Sequence, residues 1–120
     1  MIESMYDILE ISDKGTELTA TIHLNKDDKV YRAHFPGCPV TPGVCIMQMV
    51  HDLLERHLGC RLRMSRGKNV KFLKVISPVE NPVIDFHLLL EQTPDHIKVT
   101  TEVFHGDTVF TRLSEEYQKE

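Results

Sequence analysis

Apolar and polar residues alternate along much of this chain, and along one stretch they do not. Leu18, Ala20, Ile22 and Leu24 alternate with Thr19, Thr21 and His23, the period of a strand with one buried face. The same period returns at Ile84, Phe86, Leu88 and Leu90 after Pro82, and again at Ile97, Val99, Thr101 and Val103. Thr93-Pro94-Asp95 and Gly106-Asp107 supply turns, the second leading into a strand over 108–117, so these strands read as antiparallel hairpins. Val70, Phe72, Lys74 and Ile76 share one face of a further strand, with Leu73 and Val75 on the other. Residues 61–68 read as a basic connection leading into it. Near the N-terminus, 5–11 is a mixed apolar segment, a short strand or a turn of helix, and 25–28 is a polar loop.

The exception lies at 44–58, where the period is helical. Thr41 is expected at the N-cap, its hydroxyl accepting from the Val44 amide, with Pro42 at the first helical position, where a missing N–H costs nothing. Gly59 is a natural C-terminal stop. The helix would be roughly 25 Å long at 1.5 Å per residue. Its first two turns, with Val44, Cys45, Ile46, Met47, Met49 and Val50, are apolar on all sides but for Gln48. A helix apolar all round is expected to be buried. Gln48 is then either a polar group in a dry place or the start of a solvated stripe with Asp52 and Glu55, and spacing does not separate the two. One long helix and five or six antiparallel strands give an α+β domain, with a curved sheet wrapped around the central helix.

Length and composition narrow this further. At 120 residues, 1–120 is expected to be one domain, large enough for a core without a disulfide or metal staple. The absence of a run of about eighteen apolar residues, and of a basic and apolar leader in MIESMYDILE, argues against membrane spanning and secretion. Cys38, Cys45 and Cys60 are odd in number and form no CxxC pair, as expected for reduced thiols of a cytoplasmic protein. The net charge of −4 hides an asymmetry: no acid lies between Glu55 and Glu80, whereas Arg56, Arg61, Arg63, Arg66, Lys68, Lys71 and Lys74 do. Such a stripe fits either an anionic partner or a solvated loop and strand edge. Nucleic acid is not expected, since the pI is near 6.0 and no aromatics interleave with the basic residues. The histidines are scattered, with His51 and His57 on different helix faces, so no metal site is expected.

The stretch from His34 to Glu55, HFPGCPVTPGVCIMQMVHDLLE, resembles the signature of the β-hydroxyacyl-acyl-carrier-protein dehydratases of the FabZ/FabA type, which have the hot-dog fold. Gly67-Lys68-Asn69-Val70-Lys71-Phe72-Leu73-Lys74, followed by Ser77-Pro78-Val79, is similar to the strand after that family's helix. The resemblance runs from about Ile8 to Tyr117. It departs from the family in two places: Gln48 stands where the family has Glu or Asp, and Glu80-Asn81-Pro82 replaces Pro-Gly-Asp.

The resemblance implies a dehydratase of fatty-acid or related acyl-chain biosynthesis, eliminating water from a 3-hydroxyacyl thioester to give the trans-2-enoyl thioester. It implies that His34 removes the C2 proton, which suits a group titrating near neutrality. Charge then builds on the thioester oxygen, and the Gly43 N–H at the helix start would stabilise it. Gln48 would hold the β-hydroxyl but cannot exchange a proton with it, so His34 would work alone and pass its proton back to the leaving hydroxyl. His51, one turn on, could titrate, though at this spacing it is ordinarily a surface or interface residue. Substrate contacts are implied for Phe35, Pro36, Gly37 and Val44, and carrier-protein contacts for Arg61, Arg63, Arg66 and Lys68. The partner is an acyl carrier protein or a coenzyme A thioester, no cofactor is needed, and the assembly is a homodimer or a trimer of dimers. Two other readings remain: a non-catalytic thioester-binding or partner subunit whose acid lies on another chain, and a hot-dog thioesterase or isomerase.

Overall fold

The computed structural model describes residues 3–33, 37 and 39–120. A turn of 3-10 helix at Glu3–Met5 leads into strand β1 (Tyr6–Asp13), so the N-terminal segment is a strand that follows a helical turn. A tight turn with Gly15 leads to β2 (Glu17–Leu24), then a short helix α1 (Lys29–Ala33) and the long helix α2 (Gly43–Leu58). Strands β3 (Leu62–Phe72), β4 (Val83–Gln92), β5 (His96–His105) and β6 (Thr108–Lys119) complete the chain. The strands form one sheet in the order β1-β2-β4-β5-β6-β3, every neighbouring pair antiparallel. The first strand formed after α2 therefore lies at the far edge, and the hairpins β4-β5-β6 fill the middle.

The inward positions are those picked out by alternation. Leu18, Ala20, Ile22, Leu24, Ile84, Phe86, Leu88, Leu90, Ile97, Val99 and Val103 are all buried, on strands that share one sheet face. Against them α2 buries Cys45, Ile46, Met49, Val50, Leu53 and Leu54, spaced as one wide stripe of a helix. Burying a side chain of this size is worth about 1.5–3 kcal/mol each, so this face holds the helix on the sheet. Gly59 ends the helix as expected: it adopts φ 66° and its N–H bonds the Glu55 carbonyl at 2.8 Å.

Three sequence expectations are corrected. Of the expected connection 61–68, residues 62–68 are the greater part of β3, and 73–76 lie outside the strand. The strand was hidden because it is an edge, exposed on nearly every residue, and because irregularities at Met64/Arg66 and Gly67/Asn69 break the period of two. Thr41 is not the N-cap. That position falls to Pro42, whose extended φ −62°, ψ 143° suits it but which has no side chain to cap with. The buried Thr41 hydroxyl pairs with Tyr31 Oη at 2.9 Å, and its N–H bonds the Ile76 carbonyl at 2.8 Å. Finally, α2 is not buried on all sides, since Val44 is 73% exposed.

The Tyr31–Thr41 pair has a consequence for the loop between the two helices. Asp28 caps α1 by accepting from the Val30 N–H at 2.9 Å, and takes the Ser4 hydroxyl at 2.6 Å on its other oxygen. The Ser4 bond, then the Val30 bond, hold its carboxyl below the usual range. Tyr31, buried one turn on, reaches across to Thr41, so both ends of the intervening segment are fixed to the core.

Candidate functional site

Helix α2 begins at Gly43. The N–H groups of Cys45 and Ile46 both turn back to the Pro42 carbonyl, at 3.0 and 3.2 Å, while those of Gly43 and Val44 have no intrahelical carbonyl to reach. Partial positive charge therefore gathers at this end. The Phe72 ring lies against Gly43, close enough that a Cβ there would stand 2.5 Å from Cζ, so only glycine allows the ring this close. Gly37 is exposed in a turn, and Val44 points to solvent beside the helix start. His34, Phe35, Pro36 and Cys38 lie outside the described residues.

One to two turns on, a cleft of about 320 Å³ opens between α2, β3 and β6, lined by Val44, Met47, Gln48, His51, Leu62, Met64, Glu115 and Tyr117 among others. Gln48 thus sits in a half-buried cleft, between the two environments left open by the sequence. Its amide nitrogen is 3.1 Å from His51 Nδ1 and donates to Asp52 Oδ1 at 3.1 Å. The His51 tautomer follows from the far side of the ring. Nε2 lies 2.7 Å from the Leu62 carbonyl, which can only accept, so Nε2 carries the hydrogen and Nδ1 of the neutral ring accepts from Gln48. Both amide hydrogens of Gln48 are then engaged, and its carbonyl oxygen is what remains to meet a ligand.

His51 is also a structural anchor. It holds the Leu62 carbonyl while Glu55 Oε2 accepts the Leu62 N–H at 2.8 Å, so the start of β3 is clasped to the helix by both backbone groups. His51, Asp52 and Glu55 present ligand atoms within 4.8 Å of one another, but each is already spent on these bonds or on the Tyr6 hydroxyl. The His51 ring stacks on Tyr117, with centroids 5.7 Å apart. Burial raises the Tyr117 phenol above its ordinary value, and its hydroxyl donates to Glu115 Oε1 at 3.2 Å.

Glu115 is the residue that sequence reading missed. It is 1% exposed on the inner face of β6, and Oε2 has no hydrogen-bond partner among the described residues. Burial pushes its carboxyl above the usual range, against the smaller lowering effects of the Tyr117 bond and His51. The signal was present, since Glu115 falls at an inward position between Leu113 and Tyr117. The hydroxyls of Thr101 and Thr111, also inward-facing and buried, likewise have no partner among the described residues.

The basic residues lie along or beside the β3 edge. Arg61 is exposed just before the strand, Arg63 donates to Gln118 Oε1 at 2.9 Å, and Lys68 pairs with Glu116 at 2.9 Å. Arg63 also borders the Gln48 cleft.

Similarity to known proteins covers most of the chain. A 3-hydroxyacyl-[acyl-carrier-protein] dehydratase FabZ of Lactobacillus helveticus is 26% identical over 91% of this chain and 81% of its own. A FabZ of Lactiplantibacillus plantarum is 24% identical over 89% of this chain and 80% of its own. Among solved structures, a chain of the dehydratase heterocomplex ApeI:P from Xenorhabdus doucetiae superposes with TM-score 0.76, at 16% identity, over 94% of this chain and 97% of that one. A hypothetical thioesterase from Streptococcus pneumoniae superposes with TM-score 0.67, at 10% identity, over 96% of this chain and 85% of its own. The sheet and helix are those of the hot-dog fold. The model of the ApeI-like dehydratases matches residues 10–111, most of the 120 present, and the chain belongs to that family.

Proposed function

We propose that the chain dehydrates a 3-hydroxyacyl thioester carried on an acyl carrier protein, and that it works as a homodimer in the cytoplasm. The observation that carries this reading is the start of α2, where a glycine amide and a cleft holding Gln48 follow the HFPG motif at the spacing of the dehydratases. His34 takes the C2 proton and the Gly43 N–H meets the thioester oxygen as charge builds there. The Gln48 carbonyl oxygen, left over after its amide hydrogens bond His51 and Asp52, accepts the β-hydroxyl and orients it. The relatives named FabZ support the substrate class, and the free thiols of Cys45 and Cys60 fit a reducing compartment. No helix among the described residues is long and apolar enough to cross a membrane.

The test is mass spectrometry of 3-hydroxyacyl-carrier-protein thioesters of several chain lengths incubated with the purified chain. Loss of one water from at least one of them is expected, and its absence from all of them overturns the reading. A partner-subunit reading is favoured by one observation, that the relative from Xenorhabdus doucetiae is part of a heterocomplex. Under that reading a second hot-dog chain bearing the acid would co-purify, and activity would appear only with both.

A further inference from the structure

Dehydration needs a proton for the departing hydroxyl, and position 48 cannot give one. Gln48 lines the cleft with both amide hydrogens engaged, which leaves its carbonyl oxygen to accept. The same cleft contains one carboxyl that is almost wholly enclosed, that of Glu115. Its Oε1 accepts from Tyr117, and its Oε2 meets nothing among the described residues. Its register partner on the facing strand carries no side chain. Gly67 of β3 is the register partner of Glu115, and a Cβ there would find only Val70 Cγ2, at 3.9 Å.

We propose that Glu115 is the proton donor of this site, protonating the hydroxyl that Gln48 orients. The proposal rests on the dehydratase reading and deepens it. In the step, the C2–H bond breaks and its proton goes to the His34 imidazole. That electron pair becomes the second C2–C3 bond, the C3–O bond breaks, and the Glu115 O–H proton joins the leaving oxygen to make water. His34 then returns its proton through solvent, and Glu115 is reprotonated, so no other reactant is consumed.

Burial and apolar neighbours favour the acid form this requires. Val99 of β5, its other register partner, is apolar, and Gly67 of β3 brings no charge. Helix α2 contributes His51, whose effect on Glu115 is to lower it, and that effect is smaller than the raising effect of burial. Arg63 borders the cleft from β3, and its guanidinium is turned to Gln118. Tyr117 donates a hydrogen bond without carrying charge.

The test compares wild type, Glu115→Gln and the double variant Glu115→Gln/Gln48→Glu on the 3-hydroxyacyl-carrier-protein thioesters. Glutamine keeps the volume and a hydrogen-bonding amide but cannot give up a proton. We expect kcat of Glu115→Gln to fall by about 10²–10⁴-fold with KM little changed. Moving the acid to position 48 should recover at least part of that loss, as repair of a packing defect would not. Glu115→Gln with wild-type kcat, or a loss that Gln48→Glu does not recover, overturns the assignment while leaving the dehydratase reading intact. Wild type inactive on every substrate overturns both. Independently of any variant, carbon NMR of the wild-type carboxyls should find Glu115 protonated at neutral pH, and an ionised Glu115 there also overturns it.

Discussion

A Cβ at Gly43 would come within 2.5 Å of Phe72 Cζ, yet the backbone there is the first turn of a helix, a place where proline is welcome. Pro42 is already extended, as the residue before a proline must be. This permits a selective test of the amide. In a Phe72→Ala background, which clears the space, Gly43→Pro removes only the N–H. If that N–H stabilises the thioester oxygen, kcat should fall by about 10²–10³-fold relative to Phe72→Ala, with circular dichroism unchanged. An unchanged kcat would remove Gly43 from the mechanism. At the same scale, Glu115 links chemistry to stability. Its folded pKa is raised above the ordinary 4.5, so the folded state holds the proton more tightly than the unfolded chain. Its contribution is fully present below pH 4.5 and is lost as pH rises through the folded value. The melting temperature of Glu115→Gln, which does not titrate, should therefore gain on wild type as pH rises from 4.5 towards the folded value, as scanning calorimetry across pH would read.

At the scale of elements, β3 gathers most of what faces outward. It is the end strand of the sheet, so one line of its N–H and C=O groups has no strand neighbour among the described residues, and it carries Arg63, Arg66 and Lys68. These charges are not equivalent. Lys68 is met by Glu116, whose carboxyl it holds below the usual range, whereas Arg63 bonds the neutral Gln118. Reversing Arg63 and Arg66 to Glu should weaken carrier-protein affinity and flatten its salt dependence, because exposed charges act through screened, long-range attraction. Lys68→Ala should cost less, since its charge is already answered within the sheet. Titration calorimetry at several salt concentrations would separate these outcomes, and an unchanged affinity and salt slope for the double reversal would mean that the stripe is only solvated.

For the molecule as a whole, six of the ten exposed large apolar side chains among the described residues, Val44, Met64, Val70, Phe72, Leu73 and Val75, lie on or just beyond β3 and at the start of α2. Pairing of two copies along β3 would continue the sheet and cover this surface next to the Gln48 cleft. Light scattering at micromolar concentration should give the mass of a dimer or of a trimer of dimers. Val75 is 70% exposed in the single chain, so Val75→Asp should change monomer stability within about ±0.5 kcal/mol while weakening association. A wild-type monomer under those conditions would remove the shared interface and with it the homodimer reading.

Alternation and helical period already determined most of the architecture: the paired hairpins β4-β5-β6, strand β2, the buried stripe of α2 and its stop at Gly59. These are local consequences of which face is apolar, and they need no knowledge of distant neighbours. The HFPG motif was legible as a family resemblance, and of its four residues only Gly37 is described. Strand β3 was not, because an edge strand with two irregularities has no hydrophobic period to show, and only its pairing with β6 makes it a strand. Nor was the true partner of Thr41, a tyrosine ten residues earlier in the chain. Glu115 stands sixty-seven positions after Gln48, and no spacing rule joins them. Only the packing of α2 over β3 and β6 puts the amide that replaced the family's acid and a buried carboxyl into one cleft. Long-range contact of this kind depends on which strand the sheet places beneath which turn of the helix, and that is decided by the fold.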